Sequence, residues 1–410
     1  MKKGLVFLFL IVAVYLAPLR IVQGAEAEKP LEPGWLSLDS SVGAMDRWIA
    51  LNKSSVESAF FGIGISGYLD TSFTWSSNHP KDPKNISGRY FDKDYKKVVF
   101  NDFHLALDKP EKDWGVGFRL SGDFGRTGEL LREATLWGKT FHREPSAELR
   151  ESYITTTIPV GEGIQFKGGL FVTTLGTEIL LNPGSYNDEI SRSFAFNFAI
   201  PIRHLGTLFT YPVLKTLSVT GGVVTGWDNP RDNNGSPSGL FGVNFTPSDS
   251  FGWASNIAIG PEQTHNTSNL RFTWSNVATI KPMDPLTLLL EGTFGVEQDA
   301  STPTGIKNAQ WYAFAAVGSW SWTERFSTAL RTELFLDEGA SRTQGLGATK
   351  PIFNVALGEV TLAATYKFTK MLQGRAEFRQ DWANRPVYKR GSSNADANQT
   401  TLAWQLLYQY

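Results

Sequence analysis

The sequence predicts an all-β fold, a transmembrane antiparallel β-barrel of about 16 strands preceded by a short N-terminal helical segment. Two observations lead to this prediction. Apolar and polar residues alternate through most of the chain, as in strands whose two faces meet different surroundings. Short turns also alternate regularly with long polar connections. The composition agrees, because the 410 residues include 39 Gly and 13% aromatic residues.

The composition also excludes several classes of protein. The chain contains no Cys, so it holds no disulfide framework, no cysteine-ligated zinc or iron–sulfur site and no cysteine nucleophile. Its 39 Lys and Arg nearly balance its 40 Asp and Glu, which argues against nucleic acid as a partner attracted by net charge.

The first element is a predicted signal peptide over residues 1–24. Lys2 and Lys3 precede an apolar stretch at residues 5–16, and small residues follow at Gly24 and Ala25. A membrane anchor is the less favoured alternative, because a spanning helix needs ~20 apolar residues. Cleavage after Gly24 would remove three positive charges and no acid, so the formal net charge would change from −1 to −4. We therefore expect an exported protein.

Residues 25–61 form the second predicted element, a periplasmic or plugging segment. The alternation is absent from residues 36–61, where Met45, Trp48 and Ile49 instead fit a short amphipathic helix. An ordered lead-in without a role of its own is the alternative. The barrel itself is predicted to span residues 62–410.

The predicted strands have one apolar face and one polar face. The fifteenth strand is the clearest example, and its two faces are Ala376, Phe378 and Trp382 against Arg375, Glu377, Arg379 and Asp381. A soluble sandwich would bury the apolar face in its core, whereas a membrane barrel turns that face toward lipid.

Connection lengths favour the membrane barrel over the sandwich. The short turns are predicted at residues 110–113, 159–162, 212–215, 247–250, 282–284, 323–324 and 369–370. The long loops are predicted at residues 76–97, 125–146, 175–192, 228–237, 261–267, 298–308, 337–351 and 383–397. Together they make fifteen connections between sixteen strands, with both chain ends on the turn side. The last strand ends in the aromatic Tyr410, which predicts the barrel assembly machinery as a partner.

Several loop motifs resemble those of a known family. They are Asn101-Asp102-Phe103, Leu175-Gly176, Ser191-Arg192-Ser193, Ile200-Pro201, His204, Gly206, the run from Gly226 to Gly235, Gly260-Pro261-Glu262, Arg379, Asp381 and Trp382. Together they resemble the OmpL-like β-barrel porin family of bacterial outer membranes over residues 62–410. The resemblance implies a barrel in the outer membrane through which small solutes diffuse. It implies no catalytic residue.

Candidate sites of other chemistry are weak. Gly62, Gly64 and Gly67 have the spacing of a dinucleotide-binding loop, but they fall inside a predicted strand. A barrel hydrolase would need a histidine beside a nucleophile, and His104 or His204 could serve only in that case. The oxygen-rich loop at residues 228–234 fits ordinary turn chemistry better than calcium binding. We therefore expect no cofactor, no metal and no catalytic residue.

The polar strand faces supply the candidate functional residues. Charges facing lipid at mid-bilayer cost ~2 to 4 kcal/mol for Arg or Lys, so these side chains are expected to point inward. The candidate pore-lining residues are Arg119, Asp123, Lys167, Glu291, Arg331, Glu333, Arg375, Glu377, Arg379 and Asp381. By analogy with general porins, the loop at residues 175–192 is a candidate constriction, with Glu178, Asp188, Glu189 and Arg192 as its charged residues. Salt bridges that fill the lumen are the alternative, although about sixteen strands leave room for a channel.

These observations predict a porin-like channel of the bacterial outer membrane for passive diffusion of small hydrophilic solutes. The alternatives are a barrel-borne hydrolase and a closed structural or adhesin barrel. The expected partners are outer-membrane lipid and small hydrophilic solutes, and the expected assembly is a monomer or a homotrimer.

Overall fold

The computed structural model describes residues 63–81, 84–111, 115–134, 147–180 and 187–409. The predicted signal peptide, the predicted plug segment with its helix, and Tyr410 lie outside the described residues. None of the helices in these ranges is both long enough and apolar enough to cross a membrane.

The described strands form a closed antiparallel barrel of sixteen strands, which confirms the predicted fold class. The first eight are β1 (Gly64–Ser76), β2 (Val98–Lys109), β3 (Val116–Phe124), β4 (Ala147–Ile158), β5 (Ile164–Val172), β6 (Arg203–Leu214), β7 (Leu217–Val224) and β8 (Ser238–Ser248). The others are β9 (Phe251–Pro261), β10 (Leu270–Met283), β11 (Leu286–Thr302), β12 (Gly305–Ser321), β13 (Phe326–Glu338), β14 (Asn354–Lys367), β15 (Leu372–Ala383) and β18 (Asn398–Gln409).

The barrel closes where its first strand meets its last. Strand β1 pairs with β18 from Tyr68 opposite Gln409 to Ser76 opposite Thr401. Every other neighbour in the barrel is the next barrel strand along the chain. No strand edge is left open, so every strand finds its hydrogen-bonding partners inside the protein, as a bilayer requires.

The two faces of the strands are arranged as in a membrane protein. Leu362 and Phe378 face outward and are 46% and 44% exposed, whereas Arg379 on the inner face is 0% exposed. The same contrast holds for outward Leu120, Ile154, Phe314 and Leu334, each more than 40% exposed. The apolar face therefore covers the outside of the barrel, and the charged face lies within it.

The predicted alternation of short turns and long loops is present, with one correction. Residues 298–308 were expected to be a loop, but β11 and β12 continue through them to a turn at Pro303 and Thr304. The ladder is still formed there, with Ala300 opposite Lys307 and Thr302 opposite Gly305. This extension is polar on both faces, so it lacks the hydrophobic alternation by which strands are recognised.

The described parts of the long loops contain three smaller elements. Helix α1 (Arg126–Ala134) follows β3, and its Leu130 and Leu131 are fully buried. The loop before β18 contains a hairpin of β16 (Tyr388–Arg390) and β17 (Asn394–Asp396). A π-helical turn (Ala195–Ala199) lies in the loop between β5 and β6. We call this loop, residues 173–202, loop L3; its residues 181–186 are outside the described part.

Candidate functional site

Loop L3 folds into the barrel and packs against the opposite wall. Phe194, Phe196 and Ile200 are buried in one apolar cluster with Trp311 of β12 and Phe335 of β13. The Trp311 Nε1 donates a hydrogen bond of 3.0 Å to the carbonyl of Ala199. Because L3 begins at β5 and these contacts lie on β12 and β13, the loop crosses the interior of the barrel.

Three wall glutamates bind the backbone of L3, and we call Glu291, Glu333 and Glu377 the clamp glutamates. Glu291 accepts hydrogen bonds from the amide and hydroxyl of Thr177, at 3.0 and 2.9 Å. Glu377 accepts the amides of Ile190 and Ser191, at 2.6 and 3.0 Å.

Glu333 acts in the same way on the next part of L3, where it accepts the amides of Phe194 and Ala195. The clamp glutamates lie on β11, β13 and β15, which are alternate strands of one wall. Hydrogen bonds to a carboxylate are stronger than those to a neutral acceptor, so they fix the loop firmly.

Arginines of the same wall bind the L3 carbonyls. Arg331 donates to the Ser191 carbonyl at 2.9 Å and to Glu178 Oε1 of L3 at 2.8 Å. Arg379 donates to the Arg192 carbonyl at 2.6 Å. Each of these arginines is also paired with a wall carboxylate, Arg331 with Glu359 and Arg379 with Asp381.

A second buried cluster holds L3 from the side of β1 to β4. Arg150 donates to Asp123 Oδ2 at 2.8 Å, to the Tyr68 hydroxyl at 2.7 Å and to the Leu180 carbonyl of L3 at 3.0 Å. It lies beside a register shift between β3 and β4, a β-bulge that gives Arg150 its position on the inner face. Nothing in the sequence marks this bulge, so Arg150 was not among the predicted site residues.

The same cluster contains a set of possible metal ligands. One ligand atom each from Asp102, His104 and Asp123 lies within 4.8 Å of the others. The guanidinium of Arg150 binds both carboxylates of this set, however. Arg150 thus supplies the positive charge that the carboxylates need, and the cluster is explained as a buried ion-pair network.

The remaining candidate pore-lining residues make different kinds of contact. Arg119 pairs with Glu151 at 2.6 Å and with Asp108 at 2.8 Å, and the Lys167 ammonium lies 4.9 Å from the centre of the Tyr153 ring. These two lie on β3 and β5. Arg375 donates a long hydrogen bond of 3.4 Å to Gln405.

The L3 candidates also differ. Glu178 accepts the amide and hydroxyl of Ser193 as well as the Arg331 hydrogen bond, and Asp188 accepts from the Ser319 hydroxyl of β12. Glu189 lies 3.7 Å from Arg331, and burial raises the pKa of its carboxyl to about 8. Arg192 is buried, and the Nε and Nη1 of its guanidinium have no hydrogen-bond partner in the described part of the chain.

The loop at residues 228–234 shows the expected turn chemistry. Asp232 Oδ1 accepts the amides of Asn234 and Gly235. Asp228 Oδ1 accepts the amides of Ile202 and Arg203, at 2.7 and 3.0 Å, and so fixes the end of L3. This role of Asp228 was missed by the sequence analysis, because it depends on a neighbouring loop.

Comparisons with known proteins agree with this architecture. The model of the family described as putative beta-barrel porin-2, OmpL-like, matches residues 62–410. No curated protein matches the sequence.

Solved outer-membrane barrels share the fold. The chain is similar to the outer membrane channel DcaP of Acinetobacter baumannii, with 12% identity and a TM-score of 0.56 over 85% of this chain and 97% of that one. An anion-selective porin from Comamonas acidovorans gives 12% identity and a TM-score of 0.56 over 85% of this chain and 99% of that one. OmpT of Vibrio cholerae in its trimer form gives 9% identity and a TM-score of 0.56, with the same two shares. At these identities the likeness concerns the fold.

Proposed function

Because this chain belongs to the putative beta-barrel porin-2, OmpL-like family and is a porin-like channel of the bacterial outer membrane, we propose that small hydrophilic solutes diffuse passively past loop L3. The observation that carries the proposal is the course of L3. It crosses the interior and is bound to the far wall through the clamp glutamates. A solute in the lumen must therefore pass between this loop and charged wall residues.

The candidate residues have two roles in this proposal. The clamp glutamates, Arg331 and Arg379 hold L3 in place and so set the width of the passage. Lys167, whose ammonium lies over the Tyr153 ring, and Arg375, whose Nη1 reaches Gln405, are the wall residues that we expect to present charge to the solute. Arg119, Asp123 and Asp381 are fixed in wall ion pairs, and they shape the passage through the groups they orient.

A purely passive role, without enzymatic activity, is part of the proposal. The histidines considered for a hydrolase are both buried and have structural partners. His104 Nδ1 lies 2.7 Å from Asp123 Oδ1 inside the Arg150 cluster. His204 lies 3.1 Å from the Gly226 carbonyl and 3.1 Å from the Thr173 hydroxyl, at the base of L3. Burial lowers the ability of both sites to admit a water or an ester substrate.

The proposal also names the partners of the barrel. The apolar outer face fits membrane lipid, and strand β18 offers an aromatic outer face, with Trp404 and Tyr408, to the barrel assembly machinery. The similarity to OmpT in its trimer form supports a homotrimer as the assembly to test, with the monomer as its alternative.

Single-channel recording tests the proposal. Purified protein in planar bilayers should give discrete conductance steps, and a heat-denatured sample should give none. Conductance that scales with bulk salt would indicate passive diffusion through a wet lumen. A folded, heat-modifiable protein that inserts but never conducts would contradict the channel and favour a closed structural barrel. Hydrolysis of added peptide or ester by the same sample would favour the enzyme.

A further inference from the structure

The four charges on the inner face of β15 have different surroundings. Glu377 holds L3, and Arg379 and Asp381 bind each other. Arg375 forms no ion pair within the part of the chain that the structure describes. Its Nε has no hydrogen-bond partner, and its Nη1 reaches Gln405 at 3.4 Å. Arg375 therefore has one buried donor, its Nε, that none of the described residues accepts.

Arg192 of L3 is likewise a buried arginine with unpaired donors among the described residues. Its side chain is without an ion pair among the described residues, and its guanidinium carbon lies 5.8 Å from the centre of the Phe196 ring. Two of its three guanidinium nitrogens lack a hydrogen-bond partner among the described residues. A buried guanidinium without an ion pair is costly, because more distant carboxylates return only part of the energy of removing it from water. Such a group indicates a site that an anion would complete.

The two arginines belong to one region. The amides of Ile190 and Ser191 bind Glu377, which lies two residues along β15 from Arg375. The pKa of Arg192 is lowered by burial, and the positive charges of Arg331 and Arg375 act in the same direction. Glu178 and Asp92 oppose that effect. Of the two neighbouring arginines, Arg331 is neutralised by its own ion pairs, whereas Arg375 is not.

Asp70 of β1 is buried on the same inner face as Arg375, across strand β18. Strand β18 lies between β1 and β15, and its Gln405 pairs with Ser72 on one side and with Arg375 on the other. The charges of Arg375 and Arg192 both act on Asp70, and the amides of Asn101 and Gln405 lie beside it. Neither of its carboxylate oxygens accepts a hydrogen bond of normal geometry from the residues that the structure describes, although the side chain is buried.

We propose that Arg192 and Arg375 form a binding site for a small carboxylate, where L3 contacts the inner face of β15. The carboxylate oxygens would accept from the guanidinium groups of both arginines, a strong and directional pairing. Exposed fractions of 2% for Arg192 and 8% for Arg375 restrict the ligand to a small one, such as acetate. Asp70 repels the bound anion and keeps its binding weak, as conduction requires.

This inference rests on the proposed function, since it names a solute class for the same lumen. The first readout is the permeability of acetate relative to potassium, from reversal potentials under a potassium acetate gradient at low salt. R192Q and R375Q should each lower this ratio at least about threefold, because each removes one charge-assisted contact. D70N should raise it. R390Q removes an exposed arginine of β16 and should leave the ratio unchanged.

The second readout does not need conduction. Potassium acetate should raise the unfolding temperature of the detergent-solubilised wild type above that in potassium chloride of equal ionic strength, by mass action. The increase should be lost in R192Q and R375Q and kept in R390Q. Heat-modifiable migration on gels establishes that each variant is folded.

The outcomes separate the two proposals. A wild type that is stabilised by acetate but does not conduct would contradict the channel and support the site. A conducting wild type whose acetate permeability is the same in R192Q, R375Q and D70N would overturn the site and leave the channel. Stabilisation by glycine that exceeds that by acetate would also overturn the carboxylate assignment, since Asp70 would then be binding an ammonium group.

Discussion

At the residue scale, side chains that look equivalent in the sequence have different tasks. Arg375 and Arg379 occupy the same face of β15 at alternate positions, and both were predicted to line the pore. Arg379 is bound to Asp381 and to the Arg192 carbonyl, whereas Arg375 keeps an unpartnered Nε. Alternation predicts which way a side chain points. Alternation does not predict the course of L3, which determines the contacts that the side chain makes.

The clamp glutamates give a prediction at this scale. E377A leaves the amides of Ile190 and Ser191 without an acceptor, at a cost of roughly 1–3 kcal/mol for each amide. L3 should then detach locally from β15, and the single-channel conductance should increase. E162A changes an exposed glutamate in a short turn and serves as the matched control. Equal conductance in E377A and E162A would show that this clamp does not set the passage width.

Asp228 gives a prediction about pH. Burial raises the pKa of Asp228 to about 6, against ~3.9 for an unperturbed Asp. The folded state therefore binds the proton more strongly, so the contribution to stability is complete below about pH 4 and is lost as the pH rises through about 6.

Thermal unfolding checks this sign. The unfolding temperature of the wild type should fall between acid and neutral pH more than that of D228N, in which the site cannot titrate. D249N, in an exposed short turn, should follow the wild type. Parallel curves for wild type and D228N would show that Asp228 does not carry this effect.

At the element scale, strands were predictable and loops only partly so. Sixteen strands, their faces and the order of turns and loops could be read from the alternation. The polar extension of β11 and β12 could not, because a ladder in water needs no apolar face. The inward fold of L3 was expected only by analogy. Its anchors are far away in the sequence, as Thr177 is 114 residues from Glu291.

Labelling of single cysteines tests which rim faces the cell exterior. The chain has no Cys, so an introduced one gives an unambiguous signal. S392C lies at the exposed tip of the hairpin of β16 and β17, and D249C lies in the exposed short turn between β8 and β9. A membrane-impermeant maleimide should label S392C on intact cells and D249C only after permeabilisation. The reverse pattern would mean an inverted barrel.

At the scale of the whole molecule, one seam closes the structure. All other pairings in the barrel join consecutive barrel strands, and only β1 with β18 joins distant parts of the chain. Closure was predictable in principle, because open strand edges are not tolerated in a bilayer. The register of the seam was not, since neither strand shows from sequence which residue of the other it faces.

A disulfide tests that register. Ser72 pairs with Gln405 across the seam, and both side chains are buried inside the barrel. S72C/Q405C should oxidise without reducing the yield of folded protein, and boiled samples should migrate faster, because the link closes a long loop in the unfolded chain. S72C/T365C is the control, since Thr365 lies on β14, two strands away from β18. Cross-linking of the control alone would contradict the register.

Because the seam closes the barrel, the order of the strands around it does not depend on where the chain begins. Tyr68 of β1 pairs with Gln409 of β18, so the two ends of the barrel sequence lie side by side at one rim. A circular permutant could join them through a short linker and open the chain at residues 249–250, in a turn of that same rim. Every strand would keep its neighbours, but β8 would become the final strand. Such a permutant would distinguish what β18 does as a neighbour of β1 from what it does as the last barrel strand along the chain.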